Sequence, residues 1–229
     1  MSFLSQWLHQ LDFSSLVSTL ITAAAAVLCI TLHELCHGLA ALLMGDPTAK
    51  RAGRLSLNPL RHVDVFGLVM LTFFKFGWAR PVPVDDRNFR NPRLGMAMTA
   101  LAGPLSNVVL AFAALILWVP CLFLADLHEG WIYAAMFFQY TALLSTGLAV
   151  FNLLPIPPLD GSKILFALLP QRAYGFLLRV ERYGMLLLMV LLVTDVLDTP
   201  LSYFRGGLLR LLFSAVDTLY SPLFSLFFN

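Results

Sequence analysis

The chain has 229 residues, 59% of them hydrophobic and 12% charged, with a mean hydropathy of +0.80 and a formal net charge of +2. A soluble domain carries about 25% charged residues, so a water-soluble globular fold is excluded. The cysteines Cys29, Cys36 and Cys121 all fall in apolar runs, which excludes a disulfide framework.

The composition points to an all-α polytopic membrane protein. The expected fold is a bundle of four to five transmembrane helices with a short re-entrant β-like element. No internal repeat or low-complexity linker divides the chain. Residues 1–229 therefore read as one membrane domain, with a core over about 15–170 and C-terminal helices over about 174–228.

The first apolar run, Leu16–Met44, is long enough to cross a ~30 Å bilayer core, which takes about 20 residues. It has no basic start or cleavage signature and reads as a retained helix. It stops at Gly45-Asp46-Pro47, a glycine cap followed by proline. Near its end stands "TLHELCHGLA", Thr31 to Ala40. An ionisable side chain at membrane depth costs about 2.5–3.5 kcal/mol on insertion scales, so this cluster needs a function. His33 and His37 are four apart and project from one helical face. With Glu34 they form H-E-x-x-H, two neutral imidazoles for zinc and a carboxylate general base. A chance match in this composition is expected at roughly 10⁻³, the kind of false-positive estimate a short motif requires.

Next comes "RLSLNPLRHVDVFGLVMLTFFKFGWARPVPV". Its apolar stretch, Val65–Phe76, is too short to span and is rich in β-branched and aromatic residues, as expected of a re-entrant extended element. Arg80–Arg93 is a polar, proline-rich loop. His62 and Lys75 are expected at the surface, and His9 and His128 in solvent.

The second span, Leu94–Ala125, carries "ALAGPLSN" in its first half. The third, Trp131–Leu154, runs into "FNLLPIPPLDGSKIL", where Pro155, Pro157 and Pro158 cannot continue a regular helix. Broken helix at membrane depth needs protein or water to satisfy its backbone, so a cavity is expected beside Pro155–Gly161. A fourth helix is expected over Tyr174–Val196. Tyr203–Phe228 reads equally well as a span or a surface helix.

Nine of the 15 lysines and arginines lie between Lys50 and Arg93, four more between Lys163 and Arg182, and none within Asp126–Gly130. The positive-inside rule then places the two basic regions in the cytoplasm. It sets the H-E-x-x-H end of the first helix at the same depth as Asp160, the best candidate for a third metal ligand. Cys36 is read as a small apolar side chain, with a fourth-ligand role as the alternative.

"HELCH", "ALAGPLSN" and "NLLPIPPLDG", with "SLNPLRHVD" and "FGWARPVPV" between them, resemble the site-2 protease family of intramembrane zinc metalloproteases. The likeness is to its compact prokaryotic branch without PDZ or CBS domains. It covers Leu32 to about Leu165, with the motifs in the family's order. The resemblance implies a zinc endopeptidase, one Zn²⁺ per chain, that cuts in or near transmembrane segments of other proteins. His33, His37 and Asp160 match the family's metal ligands, and Glu34 its catalytic glutamate. Asn107 and Asn152 match family asparagines and are candidates for substrate or oxyanion binding, with a helix–helix hydrogen bond as the alternative. Gly103 and Pro104 are expected to permit close helix approach.

The expected partners are transmembrane protein substrates and the lipid bilayer, with no nucleic acid, and a homo-oligomer is compatible with the sequence. The expected location is the plasma membrane of a prokaryote, with the active site near the cytoplasmic side. The rival readings are a membrane metal-ion transporter and a catalytically silent membrane scaffold. An intact Glu34 argues against the scaffold. The absence of further ligands in "STLITAAAAVL" argues against the transporter.

Overall fold

The computed structural model describes residues 13–62 and 80–227. The re-entrant element expected at Val65–Phe76, with Lys75, lies outside the described residues, as does His9. Among the described residues every regular element is helical. In chain order they are α1 (Phe13–Leu43), α2 (Thr48–Arg51), α3 (Pro92–Ala125), α4 (Gly130–Asn152), α5 (Asp160–Leu168), α6 (Gln171–Val193) and α7 (Asp198–Phe227). Short 3₁₀ turns stand at Pro59–Arg61 and Asp86–Asn88.

This is an integral membrane protein. Over the described residues, α1, α3 and α4 are each long and apolar enough to span a bilayer. Arg182–Val193 and Asp198–Pro222 meet at 86° and make a fourth span if the bent pair is counted as one. The segment left open between span and surface helix is thus α7, and it packs on α3 and α4. Leu212 and Val216 enter a core cluster with Ala111, Ala114, Leu115 and Ala142. The Tyr220 hydroxyl donates to the Ile116 carbonyl at 2.7 Å.

The helices turn small residues inward and large ones outward. Ala100, Ala111 and Ala114 of α3 and Ala135, Ala142 and Ala149 of α4 are buried, whereas Leu20, Leu43, Leu105 and Val109 are exposed. Lipid tails are as apolar as leucine, so burial of leucine gives little drive for helix association in a bilayer. Small side chains instead let backbones approach and gain van der Waals contact. Close approach of α1, α3 and α4 brings their few polar residues within hydrogen-bonding range.

α4 stops at Asn152, and Leu153–Leu159 makes a series of turns before α5. Asp160 therefore opens a separate short helix beyond the break. The first-turn position also suits a carboxylate, because a helix N-terminus carries partial positive charge. Gly161 makes this re-entry possible, since a Cβ there would collide with the carbonyl oxygens of Leu153 and Leu154. The elbow between α6 and α7 covers the break, with Leu188 and Leu197 packed on Leu159, Leu154 and Ile156.

Beyond the C-terminal end of α1 the chain is more tightly bound than its loop composition suggests. Asp46 is fully buried and accepts from Thr48 N–H at 3.0 Å, Asn88 Nδ2 at 2.8 Å and Asp85 N–H at 2.8 Å. Burial opposes its ionisation, but bonds from Thr48, Asp85 and Asn88 outweigh this and hold the carboxyl below the usual range. His62 was expected at the surface and is instead fully buried. Its Nε2–H donates to the Ser56 carbonyl at 2.7 Å, because the Pro59–Arg61 turn folds the ring back onto its own loop. The His62 carbonyl in turn accepts from Arg80 N–H at 2.9 Å, which joins the two described segments.

Candidate metal centre and active site

The α1 imidazoles and the α5 carboxylate converge. His33 Nε2 and His37 Nε2 are 3.0 Å apart and stand 3.2 and 3.1 Å from Asp160 Oδ2. Their rings meet edge to face with centroids 4.5 Å apart. A tetrahedral ion with bonds of about 2.0–2.1 Å holds its donors about 3.3 Å from one another, close to the spacing seen. Cys36 takes no part in this cluster.

Proton placement supports the same conclusion. His37 Nδ1–H donates to the Thr99 carbonyl at 2.7 Å, so in the neutral ring the Nε2 lone pair faces Asp160. A lone pair and a carboxylate pointed at one point repel unless a cation lies between them, and such an outer bond is what orients a metal-ligating histidine. His33 Nδ1 meets the Asn107 carboxamide at 3.0 Å, and Asn107 meets Ser145 Oγ at 3.3 Å. Asn107 Nδ2 stands against His33 Nδ1 and its Oδ1 accepts from Ser145 Oγ; turning the carboxamide over puts its oxygen on Nδ1–H and its NH₂ on Ser145, which frees His33 Nε2 to ligate.

Asn107 is fully buried and sits behind His33. Of the two roles expected for it, the bond seen is the interhelical one, here joining α1, α3 and α4. Asn107→Leu is expected to weaken zinc binding by about 10–100-fold, the usual cost of losing an outer partner. Asn107→Asp should keep zinc because a carboxylate accepts the same proton. Competition with a chromophoric chelator measures both.

Gly103 serves the site more directly than expected. A Cβ there would overlap His37 Cε1 and Nε2 and come within 2.7 Å of His33 Cε1. The glycine of "ALAGPLSN" is therefore the floor under the imidazoles as well as a point of helix approach.

Glu34 lies beside the donors in a cavity of about 320 Å³, walled also by Pro81, Val82, Met96, Pro158 and Lys163. Its Oε2 accepts from Val82 N–H at 3.0 Å. Asn152 lines the same cavity, its Nδ2 donating to the Leu148 carbonyl at 3.0 Å. The cavity opens beside the broken segment, as the three prolines implied. Sequence reasoning missed Thr99, Ser145, Val82 and Lys163. Thr99 and Val82 act through backbone atoms, and no residue-type pattern reports those.

The profile of peptidase family M50 matches residues 124–194, which include the broken segment and Asp160. YwhC of Bacillus subtilis is 40% identical over 200 residues, covering 83% of this chain and 89% of its own length. The chain belongs to peptidase family M50. Rip2 of Mycolicibacterium smegmatis is 32% identical over 187 residues, covering 78% of this chain and 69% of its own. Rip2 of Mycobacterium tuberculosis is 31% identical over 176 residues, with 74% and 65% covered. All three relatives carry the name of a zinc metalloprotease. No solved structure matches the chain. This M50 protein is thus a zinc metalloprotease, and the His33–His37–Asp160 cluster has the donor set and spacing that zinc requires.

Proposed function

We propose that this M50 protease is an intramembrane endopeptidase that hydrolyses peptide bonds in or near the transmembrane segments of other membrane proteins. The observation that carries the reading is the position of the site. His33, Glu34 and His37 lie on spanning helix α1, and their cavity is bounded by the break after spanning helix α4.

In this reading His33, His37 and Asp160 hold the zinc. When bound, zinc supplies Lewis acidity toward the scissile carbonyl and a water nucleophile at neutral pH. Glu34 takes the proton of the attacking water on its carboxylate and returns it to the leaving amine, so no free base is needed in a dry site. Val82 N–H holds one Glu34 oxygen, leaving the other for the proton. Asn152 offers its carboxamide to the substrate backbone, which loses several kcal/mol for each group left unpaired at membrane depth. The substrates are transmembrane proteins, and the membrane is the plasma membrane of a prokaryote.

The deciding experiment is cleavage of single-span reporters by the full chain in bilayers, with products mapped by mass spectrometry. Cuts within or next to the span support the proposal. Cuts confined to a soluble tail, or none across a broad panel, would overturn it. The active-site side follows from charge. A cysteine at Gly130 should react with an impermeant reagent outside the cell, and one at Arg90 should react only after lysis. The reverse pattern would move the site to the other face.

A further inference from the structure

Residues 80–85 pass over the metal cavity as an extended strap, with Pro81, Val82 and Val84 in its wall. Asp46 holds the far end through Asp85 N–H at 2.8 Å. Arg54 holds the near end, its Nη2 donating to the Arg80 carbonyl and, at 3.1 Å, to the Pro81 carbonyl. Between the anchors Val82 N–H donates to Glu34 Oε2 at 3.0 Å. Its neighbours Pro81 and Pro83 have no N–H, so Val82 is the donor that the middle of the strap can offer.

Arg54 is 8% exposed, an unusual state for a cation outside a membrane span. A buried charge is costly unless it is paired, and here a single nitrogen, Nη2, bonds two successive carbonyls while the buried Nε makes no hydrogen bond. Burial and the Arg80 cation push its pKa down, while the negative charge of Glu34 pushes it up.

We propose that Arg54 is a positioning residue for Glu34. By tying the Arg80 and Pro81 carbonyls it fixes the Val82 N–H, and that bond aims the Glu34 carboxylate at the reacting water. The inference rests on Glu34 being the general base. A glutamate has three rotatable torsions, and misplacement of a reacting group by about 1 Å can cost about 10²-fold in rate.

The test uses the full chain in nanodiscs with a cleaved reporter, measuring zinc per chain, KM and kcat. The variants are Arg54→Met, Arg54→Lys, Val82→Pro and the two Arg54 changes each combined with Val82→Pro. Val82→Pro removes the donor without touching Arg54. Arg54→Met is expected to keep its zinc and KM while kcat falls about 10–100-fold, with Arg54→Lys regaining part of the loss. The double variants should be no slower than the slower single, because both changes break one chain of contacts. Wild-type kcat in Arg54→Met, additive losses in the doubles, or a raised KM with unchanged kcat would each overturn the proposal. If Arg54→Met fails to hold zinc, the cycle with Arg54→Lys makes the same decision. Glu34→Gln, assayed alongside, separates the two ideas. Turnover in that variant refutes the base itself, whereas a dead Glu34→Gln with an additive cycle refutes Arg54 alone.

Discussion

Glu34→Gln is expected to abolish peptide cleavage while zinc content and fold stay at wild-type levels. The amide keeps the volume of the side chain and can still accept from Val82 N–H, the one protein hydrogen bond described for the Glu34 carboxylate. It cannot take a proton at neutral pH, and general-base catalysis typically supplies about 10²–10⁴-fold in rate. The measurement is single-turnover cleavage in bilayers beside metal analysis of the same preparation. Turnover within about tenfold of wild type would exclude Glu34 as the base.

Asp160→Ala is expected to lose zinc outright. The change removes one of three converging donors and leaves the two imidazoles with an open quadrant. The loss should exceed the ~10–100-fold that removing an outer partner costs. Helix α5 itself should persist, since Ser162 Oγ still donates to the Leu159 carbonyl at 2.7 Å and Gly161 still fits against the end of α4. Metal analysis after dialysis against a chelator, with circular dichroism as the control for fold, gives the answer. Equal zinc in variant and wild type would remove Asp160 from the centre.

Both variants also mark how far the primary structure reaches. His33, Glu34 and His37 are legible because helix periodicity is local, and an i,i+4 pair shares a face whatever else the chain does. The apolar runs are legible for a similar reason, since about 20 residues must cross the bilayer in one regular element. The three prolines locate the break after α4 because each removes a donor and clashes with the turn before it. Even Asp160 could be matched to the histidines in depth, though not in distance.

The bonds that aim these groups belong to the tertiary structure alone. His37 reaches Thr99, His33 reaches Asn107 and Glu34 reaches Val82 across 62, 74 and 48 residues of chain. Such pairings depend on how closely α1, α3 and α4 approach and on where a strap falls, and side-chain type specifies neither. Asp46 reads locally as part of a helix stop, yet it ties down a loop some forty residues away. His62 reads as a loop histidine and is buried. Local sequence determined a membrane bundle with a zinc-type motif, because periodicity and hydropathy act over a few turns. Packing decided which polar groups stand behind the metal ligands, because each buried donor or acceptor takes the partner that close helix approach brings within about 3 Å.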